Sequence, residues 1–187
     1  MRDFRSLPDD LPVPEDDGAA DHLTGLELPS VTLEATSGDA VDVGAAARGP
    51  DETLVVYVYP RTGTPGQPSP DGWDAIPGAR GCTPENCSFR DHAAELAALG
   101  ARVHGLSSQP LAEQREFAER EHIPFALLND ADLQLKRVLG LPTFEAGGMT
   151  LYKRLSLIAR GGRIVRVFYP VFPPDRHVDD VLAALRV

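Results

Sequence analysis

The amino-acid sequence predicts an α/β fold in which helices flank a central mixed β-sheet, with a β-hairpin at the start of the domain. The chain has 187 residues, 42% of them hydrophobic, which is enough for one domain with a sizeable core. Segments with strand-like and helix-like hydrophobic periodicity alternate along most of the chain. Strands joined through helices pair in parallel and strands joined by tight turns pair antiparallel, so this order predicts a sheet of both kinds.

The N-terminal part of the chain differs in composition from the rest. The first thirty residues carry eight acidic side chains and two arginines, in a chain whose net charge is −10. Residues 1–25 also contain three prolines and few large apolar side chains, so we expect a flexible acidic segment or one that lies along the surface. The folded domain is predicted over residues 26–187. It opens with VTLEATSGDAVDV, whose alternation around a Ser-Gly-Asp turn predicts the β-hairpin.

The remaining elements follow from the periodicity of the apolar residues. The predicted strands cover 54–59, 101–107 and 124–129, and a later hairpin within 150–169 turns at a Gly-Gly pair. The predicted helices cover about 84–99, 110–122, 130–140 and 174–186. In the first helix Phe89, Ala93, Leu96 and Ala97 share one face, which indicates that this helix packs on the sheet.

The segment GCTPENCSFRD, residues 81–91, contains the only two cysteines of the chain, five positions apart at the start of a predicted helix. Thr83 suits the N-cap and Pro84 the first helical position. Cys82 then lies just before the helix, where backbone N–H groups favour a thiolate over a thiol. On an ideal helix, Cα atoms five residues apart are separated by about 8.7 Å, whereas a disulfide tolerates about 7 Å. A bond between Cys82 and Cys87 therefore requires the first turn to unwind, which suits a two-step redox cycle better than a static bridge.

These residues resemble the bacterioferritin-comigratory branch of the peroxiredoxin family, where a GCTxxxCxFRD motif carries the peroxide-reacting cysteine first and the resolving cysteine second. The resemblance implies a thioredoxin-like fold over most of 26–187. It also implies a thiol-dependent peroxidase that reduces hydrogen peroxide or organic hydroperoxides through a sulfenic acid on Cys82. Resolution by Cys87 would give an intramolecular disulfide, which thioredoxin or a similar dithiol would reduce. No cofactor is implied.

An inserted loop sets this chain apart from that family pattern. The strand at 54–59 runs into PRTGTPG, in which Pro60 and Thr64 match the family's proline and threonine before the reactive cysteine. Gln67 stands where that cysteine is expected, and residues 67–81 intervene before Cys82. A second family branch has a PGAxTPxC pattern, echoed around residues 77–84, which leaves open Cys87 as the attacking cysteine. The longer match favours Cys82.

The late hairpin supplies a candidate cation for the site. In the resembling family its first strand begins with an arginine that faces the reactive sulfur, and the KRLSLI segment makes Arg154 the best candidate. Lys153 is the alternative in another alignment. An arginine has the fixed fork of donors that can hold a thiolate and peroxide oxygens together, which is a further reason to prefer Arg154.

Several functional classes are disfavoured by composition. The chain has no basic patch for nucleic acid and no apolar run long enough for a bilayer, so we expect neither nucleic-acid nor membrane partners. Its N-terminus lacks the pattern of a signal peptide, so we expect a cytoplasmic protein. We expect the protein to be a monomer or a homodimer. Cys82, Cys87 and His92 are spaced too widely for a usual zinc site. The main alternative function is a redox-sensing or binding protein that uses the same disulfide switch with little peroxidase turnover.

Overall fold

A seven-stranded mixed β-sheet forms the centre of the computed structural model, which describes residues 6–187. The strands are β1 (Thr32–Ala35), β2 (Ala40–Asp42), β3 (Thr53–Val58), β4 (Ala101–Ser107), β5 (Leu127–Asn129), β6 (Thr143–Ala146), β7 (Met149–Tyr152), β8 (Leu155–Arg160) and β9 (Arg163–Phe168). The helices are α1 (Cys82–Asp91), α2 (Ala93–Ala98), α3 (Leu111–Arg120), α4 (Gln134–Leu139) and α5 (His177–Leu185). None of the helices within the described residues is long and apolar enough to cross a membrane.

The strand order of the central sheet is β2-β1-β5-β4-β3-β8-β9, and β6 pairs with β7 in a separate small sheet. Strand β4 is parallel to both β3 and β5, as expected for strands joined through helices. Strand β8 is antiparallel to β3 and β9, and β1 is antiparallel to β2. The predicted mixed sheet and N-terminal hairpin are therefore confirmed.

Two apolar cores lie on opposite faces of the sheet, and β3 contributes to both. Leu54, Val56 and Val58 belong to one core, whereas Val55 and Tyr57 belong to the other, because successive side chains of a strand point to opposite faces. The second core also contains the apolar side chains of the helices that cover that face: Cys82 and Phe89 of α1, Leu96 of α2, Phe117 of α3, and Val178, Val181, Leu182 and Leu185 of α5. This packing fixes α1 against the carboxyl half of β3.

The predicted helix over 84–99 is wrong in its start and in its continuity. It forms two helices, α1 and α2, which meet at His92 (φ −103°, ψ 10°). Helix α1 begins at Cys82, and its N-cap is Gly81 in the left-handed region (φ 109°) rather than Thr83, which lies within the helix. A Cβ atom at Gly81 would lie 2.4 Å from Cγ of Pro174, so the close approach of the chain before α5 requires glycine here.

The other helices and strands agree with the predictions to different degrees. Strand β4 coincides with the predicted 101–107, whereas β5 is shorter than predicted and α4 begins at Gln134 instead of 130. The carboxylate of Asp130 accepts hydrogen bonds from the N–H groups of Gln134 (2.7 Å) and Leu135 (2.9 Å), which fixes the start of α4. Only residues 155–168 form the late hairpin of the central sheet, because the chain leaves β7 at Tyr152 and begins β8 at Leu155.

Part of the N-terminal segment packs against the domain. Leu23 is fully buried in the core, and the N–H of Gly25 donates to the carbonyl of Ile164 at 2.8 Å. Asp17 forms an ion pair with Lys153 and accepts a hydrogen bond from the hydroxyl of Tyr169. The flexibility predicted for residues 1–25 stays a prediction, but the core already includes residues before position 26.

The inserted loop, residues 67–81, is anchored on the small sheet. Its one helical turn is the 3-10 segment Trp73–Ala75. Trp73 is buried beside Ala79, Ala146 and Leu151, and its ring centroid lies 6.1 Å from that of Phe144. The loop therefore approaches α1 from a fixed position on the β6–β7 sheet.

Candidate active site

Cys82 is the first residue of α1, and its sulfur is buried directly beside a guanidinium group. Nη2 of Arg154 donates to Sγ of Cys82 at 3.2 Å, and both residues are 3% exposed. Arg154 lies between β7 and β8, where the chain passes from the small sheet to the central one. The structure thus brings together two predicted site residues that are 72 positions apart in the sequence.

Lys153, the alternative cation, is not at this site. Its Nζ is 2.6 Å from Oδ2 of Asp17 in the N-terminal segment, and its side chain is about one third exposed. Successive residues of an extended chain point in opposite directions, so Arg154 faces the core while Lys153 faces outward.

Glu85 is a third member of the site that the sequence analysis did not identify. It is fully buried and forms an ion pair with Nη1 of Arg154. Burial raises the pKa of the Glu85 carboxyl to about 7, although Arg154 acts to lower it. The spacing gave a usable signal, since residues three apart lie on the same side of a helix and Glu85 follows Cys82 by three.

The surroundings of Cys82 shift the pKa of its thiol in opposite directions. Burial raises its pKa above the ordinary value, and the charge of Glu85 raises it further. Arg154 and a hydrogen bond from the backbone N–H of Arg61 lower it. Burial has the largest effect on this pKa and raises it in the resting structure, so the thiolate expected from the start of the helix stays a prediction.

A cleft beside Cys82 contains one of the two residues predicted ahead of the insertion. Its walls are formed by residues 61–64, by residues 67–70 and Trp73 of the inserted loop, and by residues 80–83. Thr64 lies in this wall although the inserted loop, residues 67–81, separates it from Cys82 in sequence. Pro60 is not among the described lining residues. Its carbonyl accepts a hydrogen bond from the hydroxyl of Ser107 at 2.8 Å, which fixes the chain as it leaves β3.

The loop that carries Thr64 is held by buried polar contacts. The N–H of Thr62 donates to Oε1 of Gln109 at 2.8 Å, and both residues are about 2% exposed. Arg61 forms an ion pair with Glu113 of α3 at 3.1 Å. These contacts fix the end of β3 against the start of α3, so the cleft has a preformed wall opposite α1.

Cys87 lies on α1, away from Cys82. Both thiols are free, and Cys87 is partly exposed. Its thiol lies 3.7 Å from Oε2 of Glu121, a buried carboxylate just beyond the end of α3. Burial raises the pKa of Cys87, Arg90 lowers it, and Glu121 raises it. Because residues 82–91 are helical throughout, the two sulfurs cannot bond until part of α1 unwinds.

A buried histidine, His177, is a further titratable group near the site. Nε2 of His177 lies 2.8 Å from the hydroxyl oxygen of Ser156, and its ring packs edge-on against Phe89 and Phe168. Burial and the charge of Arg154 lower the pKa of His177 to about 3, so this ring is neutral at pH 7. Within residues 6–187, no group of three or more His, Cys, Asp or Glu side chains is placed to hold a metal ion.

The chain is similar in sequence to a known protein family and to individual plant proteins. The family model described as Redoxin matches residues 23–185. The chain is 27% identical over 162 residues to a chloroplastic peroxiredoxin Q of Oryza sativa subsp. japonica, covering 87% of this chain and 66% of that protein. It is 27% identical over 186 residues to the chloroplastic peroxiredoxin Q of Gentiana triflora, covering 97% and 77%. The chain thus spans about two thirds of the length of the rice relative.

Solved structures show the same fold. The peroxidoxin BcpB from Mycobacterium tuberculosis superposes with a TM-score of 0.69 at 28% identity, covering 88% of this chain and 96% of that one. A peroxiredoxin Q variant from Xylella fastidiosa superposes with a TM-score of 0.70 at 20% identity, with the same coverage. The predicted thioredoxin-like fold is therefore confirmed.

Proposed function

Since the chain belongs to the Redoxin family, as a peroxiredoxin of the bacterioferritin-comigratory type, we propose that it is a thiol-dependent peroxidase whose reacting atom is the sulfur of Cys82. The observation that carries this proposal is the 3.2 Å contact between that sulfur and the buried guanidinium of Arg154, beside a cleft. An arginine held at a sulfur in this way stabilises the thiolate and offers further donors to an incoming oxygen.

In the first step the Cys82 thiolate attacks the terminal oxygen of a hydroperoxide. An S–O bond forms as the O–O bond breaks, and the departing hydroxide or alkoxide takes up a proton from solvent and leaves as water or an alcohol, so that Cys82 becomes a sulfenic acid. Arg154 and the N–H groups at the start of α1 stabilise the negative charge that develops on the transferred and leaving oxygens. The hydroxyl of Thr64, in the wall of the cleft, is a further donor toward the peroxide. Pro60 shapes the loop that carries Thr64.

In the second step Cys87 resolves the sulfenic acid. The first turn of α1 unwinds, the Cys87 sulfur attacks the Cys82 sulfur, and an intramolecular disulfide forms as water leaves. A dithiol such as thioredoxin then reduces the disulfide by thiol–disulfide exchange. The position of both cysteines within one helix supports this order, because the disulfide is excluded while α1 is intact.

The substrates proposed are hydrogen peroxide and organic hydroperoxides. The bacterioferritin comigratory protein from Xanthomonas campestris, which is 23% identical with a TM-score of 0.65, has alkyl peroxide reduction activity. The cytoplasmic location and the monomeric or homodimeric state expected from the sequence stay predictions.

Coupled turnover tests the proposal. Wild type, Cys82→Ser and Cys87→Ser would be given peroxide with either thioredoxin and its reductase or a small dithiol, and peroxide consumption followed. The proposal expects sustained consumption by wild type, none by Cys82→Ser, and an altered dependence on the reductant for Cys87→Ser. The proposal would be contradicted if wild type consumed no peroxide with either reductant.

One observation favours the alternative of a redox sensor. Cys82 is almost inaccessible, and burial raises its thiol pKa, which would slow a catalyst but is tolerable in a switch that reacts once. A sensor would form the Cys82–Cys87 disulfide with peroxide yet show little turnover with a dithiol. The coupled assay therefore separates the two functions.

A further inference from the structure

The end of α3 presents a buried carboxylate to the sulfur of Cys87. Oε2 of Glu121 lies 3.7 Å from Sγ of Cys87, and the Glu121 side chain is 2% exposed. Arg120 contacts the other oxygen, Oε1, at 2.6 Å. The oxygen nearest the thiol therefore faces Cys87 while the carboxylate charge is balanced from the opposite side.

Arg90, also on α1, makes further contacts with Glu121. Its Nη1 donates to the backbone carbonyl of Glu121 at 2.8 Å and lies 3.8 Å from Oε2. Arg120 also donates to the carbonyl of Gly63 at 3.3 Å, in the loop that carries Thr64. The carboxylate thus sits where α1, the end of α3 and the wall of the cleft are joined by hydrogen bonds.

We propose that Glu121 holds Cys87 as a hydrogen-bonded thiol while α1 is folded, and so delays closure of the disulfide after Cys82 is oxidised. This inference rests on the proposed peroxidase function. Only the thiol form can donate to a carboxylate, whereas a thiolate at the same place would face a like charge across 3.7 Å. This hydrogen bond is therefore lost when Cys87 gives up its proton. Breaking it adds to the free-energy barrier of resolution.

Resolution converts the Cys82 sulfenic acid and the Cys87 thiol into a disulfide and water. Cys87 gives up its proton and its sulfur attacks the sulfenic sulfur of Cys82, so that the S–S bond forms as the S–O bond breaks. The departing hydroxide takes up a proton and leaves as water, and no further oxidant is needed. Because the thiolate is the attacking form, a residue that keeps Cys87 protonated lengthens the life of the sulfenic acid.

The described charged and titratable groups around Cys87 act in both directions. Arg90 and Asp91 come from α1, Arg120 and Glu121 from the end of α3, and Tyr57 from β3. The arginines favour the thiolate, and the acidic groups disfavour it. Removing the Glu121 charge leaves the positive charges of Arg90 and Arg120 acting on Cys87, so the pKa of Cys87 is expected to fall.

The test measures Cys87 directly and needs no peroxide. In a Cys82→Ser background, the alkylation rate of Cys87 would be followed by intact mass from pH 6 to 10, with and without Glu121→Gln. Glu121→Gln is expected to move the midpoint down by about one pH unit, which makes alkylation about tenfold faster near pH 7. Glu116→Gln is the matched control, because Glu116 also pairs with Arg120 (2.7 Å) but is exposed. Its profile should overlay that of the parent.

Coincident profiles for Glu121→Gln and the parent would overturn the proposal. Circular dichroism establishes that each variant is folded. Should Glu121→Gln unfold, the parent carries the test: its Cys87 midpoint in buffer must lie above that of the same protein in urea, and an equal or lower midpoint overturns the proposal.

A second readout follows the disulfide in the two-cysteine protein. After one equivalent of peroxide, Glu121→Gln should close the disulfide several-fold faster than wild type at neutral pH, and the two rates should converge at alkaline pH. Equal rates at neutral pH would contradict the delay. If peroxide oxidises neither protein, the peroxidase proposal fails while the alkylation profile still decides the role of Glu121.

Discussion

At the scale of single residues, Arg154 is the group on which the proposed chemistry depends most. It contacts the sulfur of Cys82 and forms an ion pair with Glu85 while itself buried. Its Nη2 also lies within 3.2 Å of the carbonyl of Arg80, just before α1. Arginine combines charge with a planar fork of donors, and a lysine at this position would keep the charge but lose the fork.

Arg154→Lys is expected to lower the rate constant of Cys82 with peroxide by about 100-fold, since the fork that reaches both sulfur and oxygen is lost. Stopped-flow measurement of peroxide oxidation checks this. Lys153→Gln is the matched control from the adjacent position, because Lys153 contacts Asp17 instead of the sulfur, and it should react as wild type. Equal losses in both variants would show that Arg154 has no special part.

Glu85→Gln should lower the pKa of the Cys82 thiol, because the negative charge of Glu85 raises that pKa. With the pKa of Glu85 itself near 7, the difference between variant and parent should grow as pH rises through that value. Alkylation of Cys82 against pH in a Cys87→Ser background measures it. Glu95→Gln, on the exposed side of α2, is the control, and an unshifted Cys82 profile in Glu85→Gln would contradict the expectation.

The sequence analysis identified Arg154 but not Glu85, for a physical reason. A glutamate on the first turn of a helix is usually solvated beside the positive end of the helix dipole. Its burial depends on the chain between β7 and β8 passing over α1, which is a tertiary contact without a local pattern. The same holds for Glu121, whose neighbour Cys87 is 34 residues away.

At the scale of elements, α1 decides which states of the site are possible. The helix begins at Cys82 because Gly81 adopts φ 109° and lies against Pro174 before α5. The prediction placed the N-cap at Thr83 because the Thr-Pro pair fits a usual helix start. The packing of Pro174 on Gly81 overrides that local preference, so the start of α1 could not be read from the local sequence.

Gly81→Ala should destabilise the protein clearly more than Gly100→Ala. Both glycines have positive φ, 109° and 75°, but a Cβ at Gly81 would lie 2.4 Å from Pro174, whereas none of the described atoms lies within 4 Å of one at Gly100. We expect a loss of about 1 kcal/mol for Gly100→Ala and at least about 2 kcal/mol for Gly81→Ala. Urea unfolding measures both, and equal losses would contradict the packing argument.

The strands show where periodicity suffices. Strand β4 was predicted to the residue, because its apolar residues Ala101, Val103 and Leu106 lie between two turn signals, Gly100 and Pro110. The pair β6 and β7 was missed as a separate sheet, since each has four residues and its partner is chosen by the Gly147–Gly148 turn and by packing with Trp73. Short strands outside the main sheet carry too little pattern to be assigned alone.

At the scale of the whole molecule, two buried titratable groups give stability opposite dependences on pH. The folded-state pKa of His177 is lowered to about 3 from 6.5, so stability is lost as pH falls below about 6.5. The folded-state pKa of Glu85 is raised to about 7 from 4.5, so stability is lost as pH rises from about 4.5 to about 7. The first effect comes from the burial of a base and the second from the burial of an acid.

His177→Gln should therefore reduce the acid sensitivity of the fold. Between pH 7 and pH 5, wild type should lose about 2 kcal/mol more unfolding free energy than the variant, because the unfolded histidine gains a proton that the folded one does not. Urea unfolding at both pH values gives this double difference, from which any constant effect of the substitution cancels. A difference near zero would show that His177 is protonated in the folded state or unperturbed by burial.

The central claim, that Cys82 is the sulfur that peroxide oxidises, is tested most directly by trapping the sulfenic acid. Cys87→Ser and Cys82→Ser would be mixed with one equivalent of peroxide and a sulfenic-acid trap, quenched rapidly and read by intact mass. The account predicts one trapped adduct on Cys82 in Cys87→Ser and none in Cys82→Ser. An adduct on Cys87 in Cys82→Ser, with none in Cys87→Ser, would contradict it and exchange the roles of the two cysteines.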